Sequence, residues 1–194
     1  LETLVQAMRP GDQLLLGLEV DSEALVVCEE LRSRFPERDI ELVRCVRSTG
    51  LNPKICKLMQ MAPQARHEHW ILSDSEALLD RTFLEAFRSE WATSGAGVLT
   101  AGYRFIHLDT LPKQLDAASL LLTLWPGLAV LRRFGKLRLT LGACTAFPRG
   151  DLDGMGGFAA FERDLAEDTR LGWALAQAGR TVRLSTHVVT LVSD

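Results

Sequence analysis

Short apolar runs alternate with helical patterns along most of this chain, and this alternation limits the fold more than any other feature. The sequence predicts strands at 13–18, 40–46, 69–72 and 97–102, and two more at 181–184 and 188–192. Between them it predicts helices, among them 53–61, 80–91 and 165–178. Strands that alternate with helices indicate an α/β fold with a mostly parallel sheet flanked by helices.

Capping signals place several helix ends. Asn52 followed by Pro53 is a strong helix start, after a polar loop at 47–52, and Asp21 and Asp80 are candidate caps for two other helices. Pro112 opens a long apolar helix that we expect to end near 126–127, and Gly179 ends the helix at 165–178. These signals predict where several of the helices begin or end.

Composition excludes several classes of protein. The 194 residues are 47% hydrophobic, which rules out a disordered chain, and the formal net charge of −3 argues against a nucleic-acid partner bound through bulk charge. The four cysteines form neither a CxxC pair nor a zinc spacing. We therefore predict buried, reduced thiols.

The run 117–130 carries no charge and precedes a basic cluster of Arg132, Arg133, Lys136 and Arg138. Being short and interrupted by a proline, the run is not expected to span a bilayer. Two interpretations remain open for it. It is either a core helix followed by a solvated loop, or a surface that rests on anionic lipid.

Two carboxylates lie where a buried strand is predicted to end. Asp74 and Glu76 are two residues apart, so in extended backbone both side chains face the same side. Two oxygen ligands at such a place suit Mg²⁺ or Mn²⁺ that carries a diphosphate. Acidic pairs at this spacing recur elsewhere in the chain, so only the position at a strand end distinguishes this one.

A second acidic pair, Glu167 and Asp168, falls in the first turn of a predicted helix. One interpretation is that the two carboxylates complement the helix dipole. The other is that one of them acts as a general base towards a hydroxyl nucleophile.

These features occur in a particular order, with further motifs among them. Along the chain come Asn52-Pro53-Lys54, then ILSDSE at 71–76, GACTAF at 142–147, LAED at 165–168 and GRTVRLS at 179–185. This order resembles the family 2 and family 21 glycosyltransferases of GT-A fold, in particular the ceramide glucosyltransferases and the hopanoid-biosynthesis-associated glycosyltransferases. The resemblance extends from about Leu14 to the C-terminus.

The resemblance implies a metal-assisted, inverting transfer of a sugar from a UDP-sugar to a lipid hydroxyl. Asp74 and Glu76 match the motif that binds Mn²⁺ or Mg²⁺ and the donor diphosphate, and Asp168 matches the catalytic base. Lys54 matches a lysine expected to meet the donor phosphates.

The resemblance also implies an acidic residue near the nucleotide, and either Glu19 or Asp21 matches it. A first strand before Leu1 and a Q/R-x-x-R-W motif after the last strand are implied as well, and neither is in this sequence. Glu76 stands where aspartate is more common.

We therefore expect residues 1–194 to form one GT-A-like catalytic domain of a longer, membrane-anchored protein at the cytoplasmic face of a membrane. Residues 1–194 by themselves are not expected to catalyse the transfer. Two alternatives remain, a nucleotidyltransferase and a non-catalytic domain that binds nucleotide-sugars.

Overall fold

The computed structural model describes residues 1–47 and 52–192, so most of the predicted polar loop at 47–52 lies outside the described residues. Within these residues the helices are α1 (Glu2–Ala7), α2 (Ala24–Arg34), α3 (Pro53–Met61), α4 (Arg81–Ser94), α5 (Leu111–Arg133), α6 (Arg149–Asp153) and α7 (Glu167–Gln177). The strands are β1 (Gln13–Glu19), β2 (Asp39–Cys45), β3 (His69–Ser73), β4 (Ala77–Leu78), β5 (Val98–Ile106), β6 (Cys144–Pro148) and β7 (Val182–Val192).

Across the described ranges these strands form two sheets. β1 and β2 pair in parallel, with Gln13 opposite Asp39, and the second sheet has the order β3-β6-β5-β7-β4. In the second sheet β5 and β7 are parallel, whereas β3–β6, β5–β6 and β4–β7 are antiparallel. The α/β class is confirmed, but the expectation of a mostly parallel sheet is wrong because β6 enters antiparallel between β3 and β5.

Most predicted elements are present, with three corrections. β4 and β6 were not predicted. The two strands expected at the C-terminus are one strand, β7, with an irregularity opposite the stretch between Thr100 and Gly102. Asp21 does not cap α2, which begins after Glu23 without a side-chain cap. Asp80 does cap α4, where its carboxylate accepts a hydrogen bond from Phe83 N at 2.8 Å.

The five-stranded sheet has an apolar core on each face. Val98 and Phe147 pack with Leu175 of α7 on one face, and Leu99 and Cys144 belong to a second cluster on the other, together with residues of α4. A smaller core under β1 and β2 contains Val5, Met8, Leu31 and Ile40. All four cysteines are buried and unpaired, as predicted.

α7 lies unusually close to the segment before β6. A Cβ at Gly172 would overlap the backbone of Leu139 and Thr140, so only glycine permits this approach. Thr140 Oγ1 also donates a hydrogen bond to the carbonyl of Asp168 at 2.5 Å. The first turns of α7 are thereby fixed against residues 139–142.

α5 is longer than predicted. It continues through Pro126 to Arg133, because Leu128 and Leu131 on the following turns pack against the core. Along its length only Ala117 and Leu128 are buried, so the interpretation as a core helix is wrong. By length and composition α5 could cross a membrane, contrary to the expectation from the shorter run.

Candidate active site

Asn52 fixes the start of α3, as its sequence predicts. Its Oδ1 accepts hydrogen bonds from Lys54 N at 3.0 Å and from Ile55 N at 3.2 Å. Pro53, in the first turn, has no N–H to satisfy. The cap therefore holds Lys54 in the first turn of α3.

The amide nitrogen of the same asparagine joins α3 to α7. Asn52 Nδ2 donates to the carbonyl of Asp164 at 2.7 Å and to Glu167 Oε2 at 2.9 Å. Asn52 is only 7% exposed, and these bonds satisfy an amide that would otherwise be costly to bury. One side chain thus positions residues more than a hundred positions apart in the chain.

Lys54 lies between two carboxylates. Its Nζ is 2.6 Å from Asp74 Oδ1 and 3.0 Å from Glu167 Oε1. Burial alone would lower the pKa of Lys54, but the two carboxylates outweigh it and the pKa is raised. Burial would likewise raise the pKa of Glu167, yet hydrogen bonds from Lys54 and Asn52 hold it below its ordinary value. Lys54 and Glu167 therefore form a charged pair.

Asp168 differs from its neighbour. Burial raises its pKa, and the negative charges of Glu167 and Asp74 add to this, whereas Lys54 offsets part of it. A carboxylate with a raised pKa is a stronger base than an ordinary aspartate. The two acids thus have different surroundings, since Glu167 is paired with Lys54 and Asp168 has a raised pKa, and the general-base interpretation of Asp168 stays a prediction.

Asp74, Asp168 and Lys54 converge at Gly142, just before β6. A Cβ placed on Gly142 would lie 2.7 Å from Asp74 Oδ2, 2.9 Å from Asp168 Oδ2 and 3.2 Å from Lys54 Nζ. Asp74 follows β3 directly, as predicted, and Asp168 lies in the first turn of α7. The absence of a side chain at Gly142 is what lets both carboxylates occupy this place.

Tyr103 belongs to the same site and was not predicted. Burial raises its pKa, and the nearby carboxylates of Asp168 and Asp74 raise it further. It lies in β5, and its ring makes an edge contact with Phe105 at 5.5 Å between centroids. The one available signal was that this is the only tyrosine in the chain.

An open cleft of roughly 1340 Å³ separates the β1 side of the molecule from β3. Its lining includes Lys54, Lys57, Asp74 and Glu76. Glu76 lies in an exposed turn between β3 and β4. The cleft is large enough for a nucleotide-sugar, since small-molecule sites have volumes of about 300–1,000 Å³.

The two candidates for the nucleotide contact lie at the end of β1. Glu19 is the last residue of the strand, and its Oε1 is 3.0 Å from Lys57 Nζ. That ion pair lowers the pKa of Glu19. Asp21 is exposed in the following turn. Neither residue lines the cleft, but Glu19 is joined to it through Lys57.

The model of glycosyl transferase family 21 matches residues 1–194, the whole of the sequence. The chain belongs to glycosyl transferase family 21. The enzyme class indicated by the order of its motifs, a glycosyltransferase, is thereby confirmed.

Solved structures share the fold of this family 21 chain. A mannosyltransferase from Pyrobaculum calidifontis, in complex with GDP-Man and Mn²⁺, is 19% identical with a TM-score of 0.67, and the match covers 92% of this chain and 47% of that one. Glucosyl-3-phosphoglycerate synthase from Mycobacterium tuberculosis, in complex with Mn²⁺, UDP-glucose and phosphoglyceric acid, is 17% identical with a TM-score of 0.53. Its match covers 98% of this chain and 64% of that one. The family 21 chain thus spans about half to two thirds of these proteins, and their likeness supports the GT-A fold.

The carboxylates of the family 21 chain are suited to a divalent cation that also has other ligands. No group of three or more His, Cys, Asp or Glu side chains within 1–47 and 52–192 is arranged to hold a metal. Mg²⁺ and similar ions, however, are commonly bound by one or two carboxylates plus substrate phosphates and water. Asp74, already next to the ammonium of Lys54, accepts a cation at this position. Asp74 therefore fits a metal that arrives with a diphosphate. Residues 74–77 form a turn closed by a hydrogen bond from Ala77 N to the carbonyl of Asp74 at 3.2 Å, so the extended backbone expected to direct Glu76 to the same side is not present.

Proposed function

We propose that residues 1–194 act as one catalytic domain that transfers a sugar, with inversion, from a UDP-sugar to a lipid hydroxyl. One observation carries the proposal. Side-chain atoms of Asp74, Asp168 and Lys54 all lie within 3.2 Å of the position that a Cβ would take on Gly142. A cation for the phosphates, a carboxylate that can hold a metal ion and a base with a raised pKa are groups that serve such a transfer.

The donor lies in the cleft with its diphosphate towards Lys54 and Asp74. Lys54 offers a positive charge to the phosphates. Glu19 or Asp21 is the acidic residue that contacts the nucleotide, and because neither lines the cleft, its side chain turns towards the cleft from the end of β1, near Lys57. Asp74 and Glu76 would hold Mn²⁺ or Mg²⁺, and the solved structures with Mn²⁺ and nucleotide-sugars support a divalent ion. When bound, such an ion offsets the negative charge of the leaving diphosphate.

Asp168 acts as the general base. Its carboxylate takes the proton of the acceptor hydroxyl, whose oxygen then forms a bond to the anomeric carbon of the sugar. The bond from that carbon to the diphosphate oxygen breaks on the opposite side, and UDP leaves with the electron pair. Attack opposite the leaving group inverts the configuration at this carbon.

The acceptor is a lipid alcohol, ceramide-like or hopanoid, and the full protein is membrane-anchored with this domain at the cytoplasmic face. Two features support a lipid acceptor. The order of motifs is similar to that of glycosyltransferases with lipid acceptors, and α5 exposes a long apolar surface.

A donor screen tests the proposal. The full-length protein is incubated with Mn²⁺, a ceramide or hopanoid alcohol, and a panel of UDP- and GDP-sugars, and released nucleotide and glycosylated lipid are measured. We expect acceptor-dependent UDP release. Pyrophosphate released from a nucleoside triphosphate and a sugar phosphate would instead identify a nucleotidyltransferase, and donor binding without any product would identify a binding domain.

A further inference from the structure

α5 presents an apolar surface that the rest of the described chain does not cover. Leu115, Leu122 and Val130 are 60%, 74% and 56% exposed. No charged residue occurs between Asp116 and Arg132. A helix that is apolar all round is normally buried in a core or in lipid, and α5 is not buried in the core.

Although α5 is long enough to cross a bilayer, its packing directs it along a surface. Its 23 residues extend over about 35 Å. Trp125 lies against Gly102 of β5, and Leu128 and Leu131 join the core cluster, so the second half of the helix is attached to the domain. The chain enters α5 from β5 and continues to β6, which are neighbours in one sheet. A helix held in this way is positioned to lie along a membrane surface and not across the bilayer.

The C-terminal end of α5 carries positive charge. Arg132, Arg133, Lys136 and Arg138 are exposed, and none of them forms an ion pair within residues 1–47 and 52–192. Phe134, in the middle of this cluster, is 68% exposed. Unpaired basic side chains beside exposed apolar ones complement a surface of anionic lipid headgroups and acyl chains.

We propose that α5, together with the basic segment 132–138, binds the surface of a bilayer that contains anionic lipid. The leucines enter the headgroup boundary, and the basic side chains bind lipid phosphates. Trp125 touches Gly102, the neighbour of Tyr103 in β5, so binding brings this part of the candidate active site towards the membrane surface. This last step rests on the proposed function, whereas vesicle binding does not.

Vesicle flotation tests the proposal with the full 194-residue chain. Vesicles of phosphatidylcholine alone are compared with vesicles that also contain phosphatidylglycerol, at low and high salt. We expect the wild-type chain to float with the anionic vesicles and to lose most of this binding in high salt.

Two pairs of variants separate the apolar from the basic contribution. L115D/L122D should abolish flotation, whereas V26D/V27D on exposed positions of α2 adds the same charge and should leave it unchanged. R132Q/R133Q should weaken binding to anionic vesicles roughly 30-fold, about fivefold for each charge. R9Q/R183Q removes two exposed positive charges outside α5 and the segment 132–138 and is the matched control. Thermal unfolding verifies that each variant folds.

Three outcomes would overturn the proposal. These are no flotation of the wild-type chain, flotation of L115D/L122D equal to that of wild type, and a stable dimer in solution that L115D/L122D dissociates. The last would assign α5 to an interface between two copies of the chain. UDP binding with Mn²⁺, measured by calorimetry on the same samples, reports separately on the proposed function.

Discussion

Lys54 Nζ lies 2.6 Å from Asp74 Oδ1, so the lysine in the first turn of α3 neutralises the carboxylate that follows β3. The Asp74 side chain lines the cleft and is 36% exposed, so solvent still reaches its carboxylate despite this contact. A charged group that is paired yet open to solvent can exchange its partner when a ligand arrives. Lys54 can then turn to the phosphates of a donor while Asp74 meets its cation.

Replacing Asp74 by asparagine tests this exchange. Asp74→Asn should weaken UDP binding in the presence of Mn²⁺ and change it little in the presence of a chelator, because the amide is a poorer cation ligand than a carboxylate. Calorimetry measures both affinities. Asp153→Asn, on an exposed residue paired with Arg149, is the matched control. Equal Mn²⁺-dependent affinities for wild type and Asp74→Asn would remove Asp74 from the metal site.

Gly142→Ala should disrupt the site without unfolding the chain. The added methyl group would lie under 3.0 Å from carboxylate oxygens of both Asp74 and Asp168, and one of them must move away. We expect weaker Mn²⁺-dependent UDP binding and slower turnover. Gly127→Ala in α5 has open space around it and should be neutral or stabilising by about 0.5–1 kcal/mol. Unchanged binding and turnover in Gly142→Ala would show that this close approach has no role.

Asp168→Asn should lower kcat by about 10²–10⁴ in the full-length protein while UDP binding is retained. The pH dependence gives a second test. Since the pKa of Asp168 is raised, kcat/KM should begin to fall at a pH above about 3.9, the ordinary aspartate value, as the pH decreases. Lys54→Met removes a positive charge that lowers this pKa and should shift the fall to still higher pH. Turnover of Asp168→Asn close to wild type would leave this residue without a catalytic role.

The neighbouring acids should have opposite effects on stability. The folded state raises the pKa of Asp168, so its ionisation destabilises the fold as the pH rises through the raised pKa. The folded state lowers the pKa of Glu167, so its ionisation stabilises the fold at neutral pH, and this is lost as the pH falls through the lowered pKa. At pH 7, Asp168→Asn should therefore raise Tm and Glu167→Gln should lower it. Below about pH 3.9 the gain from Asp168→Asn should disappear. A decrease in Tm for Asp168→Asn at pH 7 would contradict this assignment.

Removing two different helix caps should lower the free energy of unfolding by different amounts. Asp80→Ala removes one hydrogen bond at the start of α4 and should cost about 0.5–2 kcal/mol of unfolding free energy. Asn52→Ala removes a cap and also leaves the partly buried carbonyl of Asp164 and carboxylate of Glu167 without this donor, which adds up to about 1–3 kcal/mol. Urea unfolding measures both. Only Asn52→Ala should also reduce turnover, because it releases Lys54 and Glu167. Equal losses of unfolding free energy in the two variants would show that the link to α7 is weak.

Local signals in the sequence predicted the local parts of this structure. Asn52 and Pro53 predicted the start of α3, and the apolar run before Asp74 predicted β3, because capping and strand periodicity depend on neighbouring residues. The direction of β6 could not be predicted. Four of its five residues are buried, and such a strand pairs according to the strands on either side of it. The contact of Asn52 with Glu167 depends on the tertiary fold in the same way.

The candidate site could likewise be predicted only where local motifs name its residues. Lys54, Asp74 and Asp168 were named from their motifs, and the structure brings them together. Glu76, Glu19 and Asp21 lie farther out, in or next to exposed turns. Tyr103 has no motif around it, and its place near Asp168 arises only when β5 is positioned beside β6.

The close approach at Gly172 has a consequence for the rate of the reaction. With α7 against the backbone of Leu139 and Thr140, the main chain that carries Asp168 and the main chain at Gly142 belong to one rigid unit. The candidate base, Asp168, then has little backbone entropy to lose when an acceptor binds, and its dipolar surroundings need little reorganisation if charge develops there. Backbone packing fixed during folding in this way preorganises the site before either substrate is present.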